Sequence, residues 1–236
     1  MKNKVIYKDL GLIDYAEAWD YQKSISGQVI ELKLFNRELP ICEQQTNYNY
    51  LLFCEHSHVY TLGKSGSENN LLLNKELLGE KGAAFFKIDR GGDITYHGPG
   101  QIVGYPIIDL EAYSMSVKQY VYNLEEVVIR TLKKYSISAS RLEGATGVWL
   151  DPDDPMKARK ICAIGVKVSR YVTMHGFAFN INTDLDYYNY INPCGFVDKG
   201  VTSLQKERGE KIEMPEVKSI LLKSFEAVFG FSLTDM

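Results

Sequence analysis

Apolar positions along the chain recur in two periods, and they sort most of it into helices and strands. From Asp14 to Glu31, Tyr15, Ala18, Trp19, Ile25 and Val29 form a near-helical stripe behind Asp14, a residue suited to an N-cap. From Ser116 to Tyr135, Val117, Val121, Leu124, Val127, Val128, Ile129 and Leu132 alternate with charges, and Ser116 suits the cap. A third helix is expected from Pro215 to Phe229, with proline in its first turn and Gly230 as its stop. Tyr50–Cys54, Ala83–Asp89, Gln101–Leu110, Gly147–Leu150, Lys160–Val172 and Met174–Asn182 read as strands punctuated by Gly, Pro, Asn and Asp. The segment DPDDPMKAR, residues 151–159, reads as an exposed hairpin connection. No repeat or flexible linker interrupts the pattern, so one α+β domain over residues 1–236 is expected, with the C-terminal helix region as a candidate appendage.

Composition narrows the function classes. The 236 residues are 45% hydrophobic and 24% charged, as in ordinary soluble domains, and a net charge of −3 gives no global reason to expect nucleic acid. No signal segment or membrane-spanning run is visible, so a reducing, cytoplasmic setting is expected and no membrane partner. Cys42, Cys54, Cys162 and Cys194 form no C-x-x-C pair and no zinc-like spacing with the four histidines. His56 and His58 lack a convincing third ligand and are expected to be hydrogen-bonded structural residues; no metal site is expected.

Three segments carry candidate chemistry. RGGDITYHGPGQ, residues 90–101, packs four glycines and a proline among Arg90, Tyr96, His97 and Gln101, so its backbone can approach a ligand closely. It contains neither GxxxxGK[ST] nor GxGxxG, which disfavours a nucleotide site. Lys160 opens the apolar strand KICAIGVKV; it is either a solvated end residue or an ammonium beside a thiol or carbonyl. Cys194 in NPCGF lies in a turn fixed by Pro193 and Gly195, whereas Cys54 and Cys162 lie in apolar runs. On the residues alone, Cys194 is open to a reactive or a structural reading.

The segments EHSHVYTLG, RGGDITYHGPGQIVGYPIIDL, TGVW, KICAIGVKV, MHGFAFNIN and NPCGF…GVTSL occur in an order that resembles the acyl-carrier-protein–protein N-octanoyltransferases of lipoate biosynthesis, from about Tyr7 to Phe229. The resemblance implies a single lipoate/biotin protein ligase-like domain, a mixed, largely antiparallel sheet packed with helices. It implies Cys194 as nucleophile and Lys160 as the thiol-activating lysine. It implies acyl-binding positions at Arg90, Gly91, Gly92, Asp93, Ile94, Thr95, Tyr96, His97, Ala163, Ile164, Gly165, Gly176, Phe177 and Ala178. It further implies octanoyl-acyl carrier protein as donor, and lipoyl domains of 2-oxoacid dehydrogenase complexes and the glycine cleavage H protein as acceptors. No cofactor is implied, and a monomer is expected. The chain departs from the family's pattern in the longer connection just before Lys160.

On that chemistry, small residues in CAIG and GFAF open an apolar slot, whereas Ile161 and Phe179 serve ordinary strand packing. Backbone amides near Ala163–Gly165, or beside Cys194, are the candidate oxyanion donors. Lys157, Arg159, Lys160, Lys167 and Arg170 form a candidate basic patch for acidic carriers. Two rivals make different demands. An ATP-dependent lipoate ligase on the same fold needs no Cys194, and a non-catalytic carrier-binding module needs neither Cys194 nor Lys160.

Overall fold

The computed structural model describes residues 4–192 and 199–235; Cys194, with its neighbours Pro193 and Gly195, lies outside the described residues. In chain order the strands are β1 (Lys4–Leu12), β2 (Asn49–Glu55), β3 (Val59–Leu62), β4 (Ala84–Lys87), β5 (Ile94–His97), β6 (Gln101–Ile107), β7 (Ser140–Leu142), β8 (Ala145–Leu150), β9 (Arg159–Ser169), β10 (Val172–Asn180), β11 (Gly200–Val201) and β12 (Ser232–Asp235). The α-helices are α1 (Tyr15–Arg37), α2 (Lys75–Glu80), α3 (Val117–Lys134), α4 (Leu204–Arg208) and α5 (Met214–Phe229).

Among the described residues, the main sheet runs β12-β1-β2-β6-β10-β9-β8-β7, with β11 also paired to β9. Its pairs are antiparallel except β1 with β2, β1 with β12 and β11 with β9. A smaller sheet, β4-β3-β5, pairs β3 with β4 in parallel and with β5 antiparallel. This is the expected mixed, largely antiparallel architecture.

Period-two alternation divides the main sheet between two helical layers. Leu51 and Phe53 of β2 face α3 and α5, and join Leu124, Val128, Leu221 and Phe225. Leu52 and Cys54 face α1, and join Ala18, Ile25 and Val29. The C-terminal helix is therefore no appendage: Phe225 and Phe229 are buried in the main core.

The caps form as the sequence requires. Asp14 accepts from Ala16 N–H at 2.8 Å, and Ser116 accepts from Gln119 N–H at 3.1 Å. Pro215 sits in the first turn of α5, and Gly230 ends it in the left-handed region at φ 71°. Helix α1 runs past the expected Glu31 to Arg37, because LKLFNR contains good helix formers and Pro40 is the first breaker. The strand expected from Lys160 to Val172 is instead cut by a tight turn. Arg170 and Tyr171 take φ of 48° and 65°, which the two-residue hairpin between β9 and β10 demands.

Candidate active site

A cavity of about 460 Å³ lies between the β9–β10 hairpin and the 90–97 segment. Its β-sheet wall is built from small residues. Ala163 pairs with Ala178, and Gly165 with Gly176, so the wall is nearly without side chains. Arg90 and Gly91 lie directly over it: a β-carbon on Gly165 would come within 2.9 Å of both Arg90 Cδ and Gly91 O. Ile161 and Phe179 point into the main core, as expected.

Arg90 is buried, and its guanidinium bonds to the backbone and to the Thr61 hydroxyl. It donates to Thr61 O at 2.9 Å, to Thr61 Oγ1 at 3.1 Å and to Gly91 O at 3.0 Å. Asp93 accepts from Ile94 N–H at 2.7 Å and from Asn70 Nδ2 at 2.6 Å. Both charged residues thus shape the loop that covers the cavity. Gly92, at φ 87°, makes the turn between them.

Of the residues named from sequence, Arg90, Gly91, Gly92, Asp93, Ile94, Thr95, His97, Lys160, Ala163, Ile164, Gly165, Gly176, Phe177 and Ala178 all line this cavity. Tyr96 does not. Its ring packs with Tyr60, Tyr187 and Tyr188, and its hydroxyl meets His58 Nδ1 at 2.6 Å. Strand β5 is buried on both faces, and Tyr96 falls on the face turned away.

The end remote from Lys160 is closed by aromatic rings that sequence reasoning left out of the site: Tyr15, Tyr105 and His175, beside the expected His97. Tyr15 and His97 stack at 5.9 Å. Burial lowers the pKa of His97, whose ring is held by Gln101 Oε1 at 2.9 Å. His175 takes φ 58°, rare for a residue with a side chain, and its ring meets Asp89 Oδ1 at 3.0 Å. Burial brings His175 down to about 4, against the opposing pull of Asp89. Burial tends to raise the Asp89 carboxyl, but Lys167 and His175 outweigh it and bring it to about 2. The one sequence signal for His175 is its place before Gly176 in the hairpin wall.

At the opposite end, Lys160 Nζ donates to Thr146 O at 3.2 Å and stands 4.7 Å from the Trp149 ring. Lys199, Gly200 and Val201 line the same end. The chain returning there is tied to β10, for Asn180 Nδ2 donates to Thr202 O at 3.0 Å. Asn180 Oδ1 accepts in turn from Gln101 Nε2 at 2.9 Å. Among the described cysteines, none lines the cavity. Cys54 and Cys162 are buried with raised thiol pKa values, and Cys42 is exposed.

Most of the basic run is paired or turned inward, with Arg170 left exposed at the hairpin turn. Lys157 pairs with Asp154, Arg159 with Asp151 and Glu207, and Lys167 with Asp89, while Lys160 turns into the cavity. Neighbouring carboxylates, invisible to a count of basic residues along one strand, neutralise most of it. Of the 151–159 connection expected to be exposed, Met156 is 92% exposed, whereas Ala158 is buried and Arg159 already opens β9. His56 and His58 are hydrogen-bonded: His56 to Ile13 O and the Tyr105 hydroxyl, His58 to the Tyr96 hydroxyl. No helix among the described residues is long and apolar enough to cross a membrane.

The fold is that of the lipoate protein ligases. A bipartite lipoate protein ligase from Thermoplasma acidophilum superposes with TM-score 0.68 at 15% identity, covering 100% of this chain and 88% of that one. A lipoate-protein ligase A bound with ATP gives 0.66 at 14% identity, over 100% of this chain and 90% of that one. Residues 14–226 match the lipoyl protein ligase A/B catalytic domain, and the chain belongs to that family. Within it, the chain is 53% identical to an octanoyltransferase of Cytophaga hutchinsonii, over 95% of this chain and 92% of that protein. An octanoyltransferase of Parabacteroides distasonis is 54% identical, over 95% and 98%. Like them, the chain is an acyltransferase.

Proposed function

We propose that this protein transfers an octanoyl group from the thioester of an acyl carrier protein to a specific lysine of lipoyl domains, through a thioester on Cys194. The observation that carries the reading is that Lys160, the small-residue wall and Lys199 all line one cavity. Lys199 is the first described residue beyond the segment that contains Cys194. The names of the relatives support the acyl group and the reaction type.

The Cys194 thiolate attacks the carrier's thioester carbonyl. A new C–S bond forms, the old one breaks, and the carrier leaves as a thiol. The acceptor lysine amine then attacks the same carbonyl carbon, the Cys194 thiolate departs, and an amide remains. Lys160, as an ammonium, favours the Cys194 thiolate by charge and gives its proton to the departing carrier sulfur; as the neutral amine so formed, it then takes the proton that the incoming amine loses. Thioester exchange is nearly isoenergetic and amide formation from a thioester is downhill, so no nucleotide enters either step. The apolar wall holds the chain, each buried methylene contributing about 0.8 kcal/mol. Arg90 through His97, except Tyr96, together with Ala163–Gly165 and Gly176–Ala178, form the acyl site. The acceptors are lipoyl domains of 2-oxoacid dehydrogenases and the glycine cleavage H protein, and the enzyme acts as a cytoplasmic monomer whose single catalytic domain spans residues 1–236.

The test is transfer in the absence of nucleotide. Octanoyl carrier and an unmodified lipoyl domain, mixed with the protein, yield octanoylated lipoyl domain by mass, and Cys194→Ala yields none. A requirement for ATP overturns the reading.

A further inference from the structure

Glu125 is a buried carboxylate on the α3 face that packs against the main sheet, a costly placement unless it is fully partnered. Its Oε2 accepts from Arg141 Nε at 3.0 Å, and its Oε1 accepts from the backbone N–H of Gly147 at 3.0 Å. That N–H belongs to the peptide unit between Thr146 and Gly147. The carbonyl of the same unit is Thr146 O, the acceptor of Lys160 Nζ at 3.2 Å. One peptide plane therefore has a carboxylate on its donor end and the lysine ammonium on its acceptor end.

Two features of the strands prepare this arrangement. The β8–β9 register shifts between Val148, opposite Cys162, and Trp149, opposite Lys160. Such a bulge re-aims a side chain: Cys162 goes to the core, and Lys160, two residues earlier, goes to the cavity. Gly147 has φ 128°, and a β-carbon there would meet Cys162 O at 2.6 Å and Lys160 Cδ and Cε at 3.4 Å. The lysine stem runs over the bare glycine.

We propose that Glu125 is a positioning residue for Lys160, gripping the Thr146–Gly147 peptide so that its carbonyl holds the ε-ammonium at the cavity. A carboxylate on the N–H polarises the peptide and strengthens the carbonyl as an acceptor, as in chained hydrogen bonds elsewhere. Glu125 touches no substrate; it acts through one peptide and one lysine. The consequence for transfer rests on the proposed role of Lys160, whereas the grip itself does not.

The test uses the full chain with Glu125→Gln, which keeps the shape and removes the charge, and Glu125→Asp, which keeps the charge and withdraws the reach. The first readout is the titration of the Lys160 ε-amine, followed by the shift of its labelled ε-carbon. The midpoint falls by roughly one pH unit in Glu125→Gln, because the ammonium loses its polarised acceptor. An unchanged midpoint in both folded variants overturns the proposal. The second readout is single-turnover acylation across pH. Glu125→Gln slows it about tenfold and moves its pH profile, yet adds nothing further in a Lys160→Ala background. Equal slowing in both backgrounds marks a merely structural role and overturns the proposal. If Lys160→Ala alone leaves acylation unchanged, the reading of Lys160 as activator fails, and the amine titration still decides the grip.

Discussion

Gly165 and Arg90 stand so close that one β-carbon added to the glycine would lie 2.9 Å from the arginine Cδ. The same atom would lie 2.9 Å from Gly91 O, a backbone atom that cannot step aside. The cavity exists because this wall lacks side chains. Gly165→Val is therefore expected to push the covering loop outward or fill the slot, and to lower acyl transfer at least tenfold. Octanoyl-carrier kinetics check it, with Val168→Ala, a partly buried change on the same strand away from the cavity, as the comparison.

His175 gives the protein a pH-dependent stability. Its folded pKa is about 4 against 6.5 when unfolded, so the unfolded chain binds more protons between those values. The stability is fully present above pH 6.5 and is lost as pH falls toward 4, by on the order of 3 kcal/mol. Asp89 adds a second loss only at lower pH, as its carboxyl protonates between its ordinary value of 3.8 and about 2. Thermal unfolding from pH 4 to 8 checks the first loss. His175→Asn, which tolerates the left-handed backbone, flattens the curve between 4 and 6.5.

Lys33 and Asp109 form a buried pair at 2.6 Å that joins α1 to the segment after β6. Removing one partner strands the other, so Lys33→Met is expected to cost about 3–5 kcal/mol in denaturant unfolding. The exposed pair Lys23–Asp20 is the contrast: Asp20→Ala costs less than about 0.5 kcal/mol.

Asp14 caps α1 through Ala16 N–H, and Tyr15 beside it lines the cavity. Asp14→Ala is expected to cost about 1 kcal/mol of stability. Calorimetry checks the loss, and Asp14→Ser restores most of it.

Sequence made the three long helices legible, because Asp14, Ser116, Pro215 and Gly230 are local signals that act within one turn. It also marked the segments that line the cavity, since glycine-rich loops and small-residue strands announce a close backbone approach. What it hid depends on long-range pairing. Strand β1, KVIYKDLGL, has only the short apolar run Val5–Tyr7 before Lys8, Asp9 and Gly11 break it, and is held by parallel partners distant in sequence. The Arg170–Tyr171 turn lacks the glycine or asparagine that usually marks its type. Tyr96 sits in a strand buried on both faces, where alternation leaves no trace of which side meets the cavity. In sequence Glu125 is one of the charges between the apolar positions of Ser116–Tyr135, and only the fold brings it to Gly147.

The proposed transfer takes the acyl group through Cys194, with Lys160 beside it. Intact-mass measurement of the protein after incubation with octanoyl carrier alone tests this most directly. One octanoyl adduct is expected, labile to hydroxylamine, absent in Cys194→Ala and formed far more slowly in Lys160→Ala near neutral pH. An adduct that persists in Cys194→Ala, or octanoyl transfer to the lipoyl domain by that variant at the full rate, would contradict it.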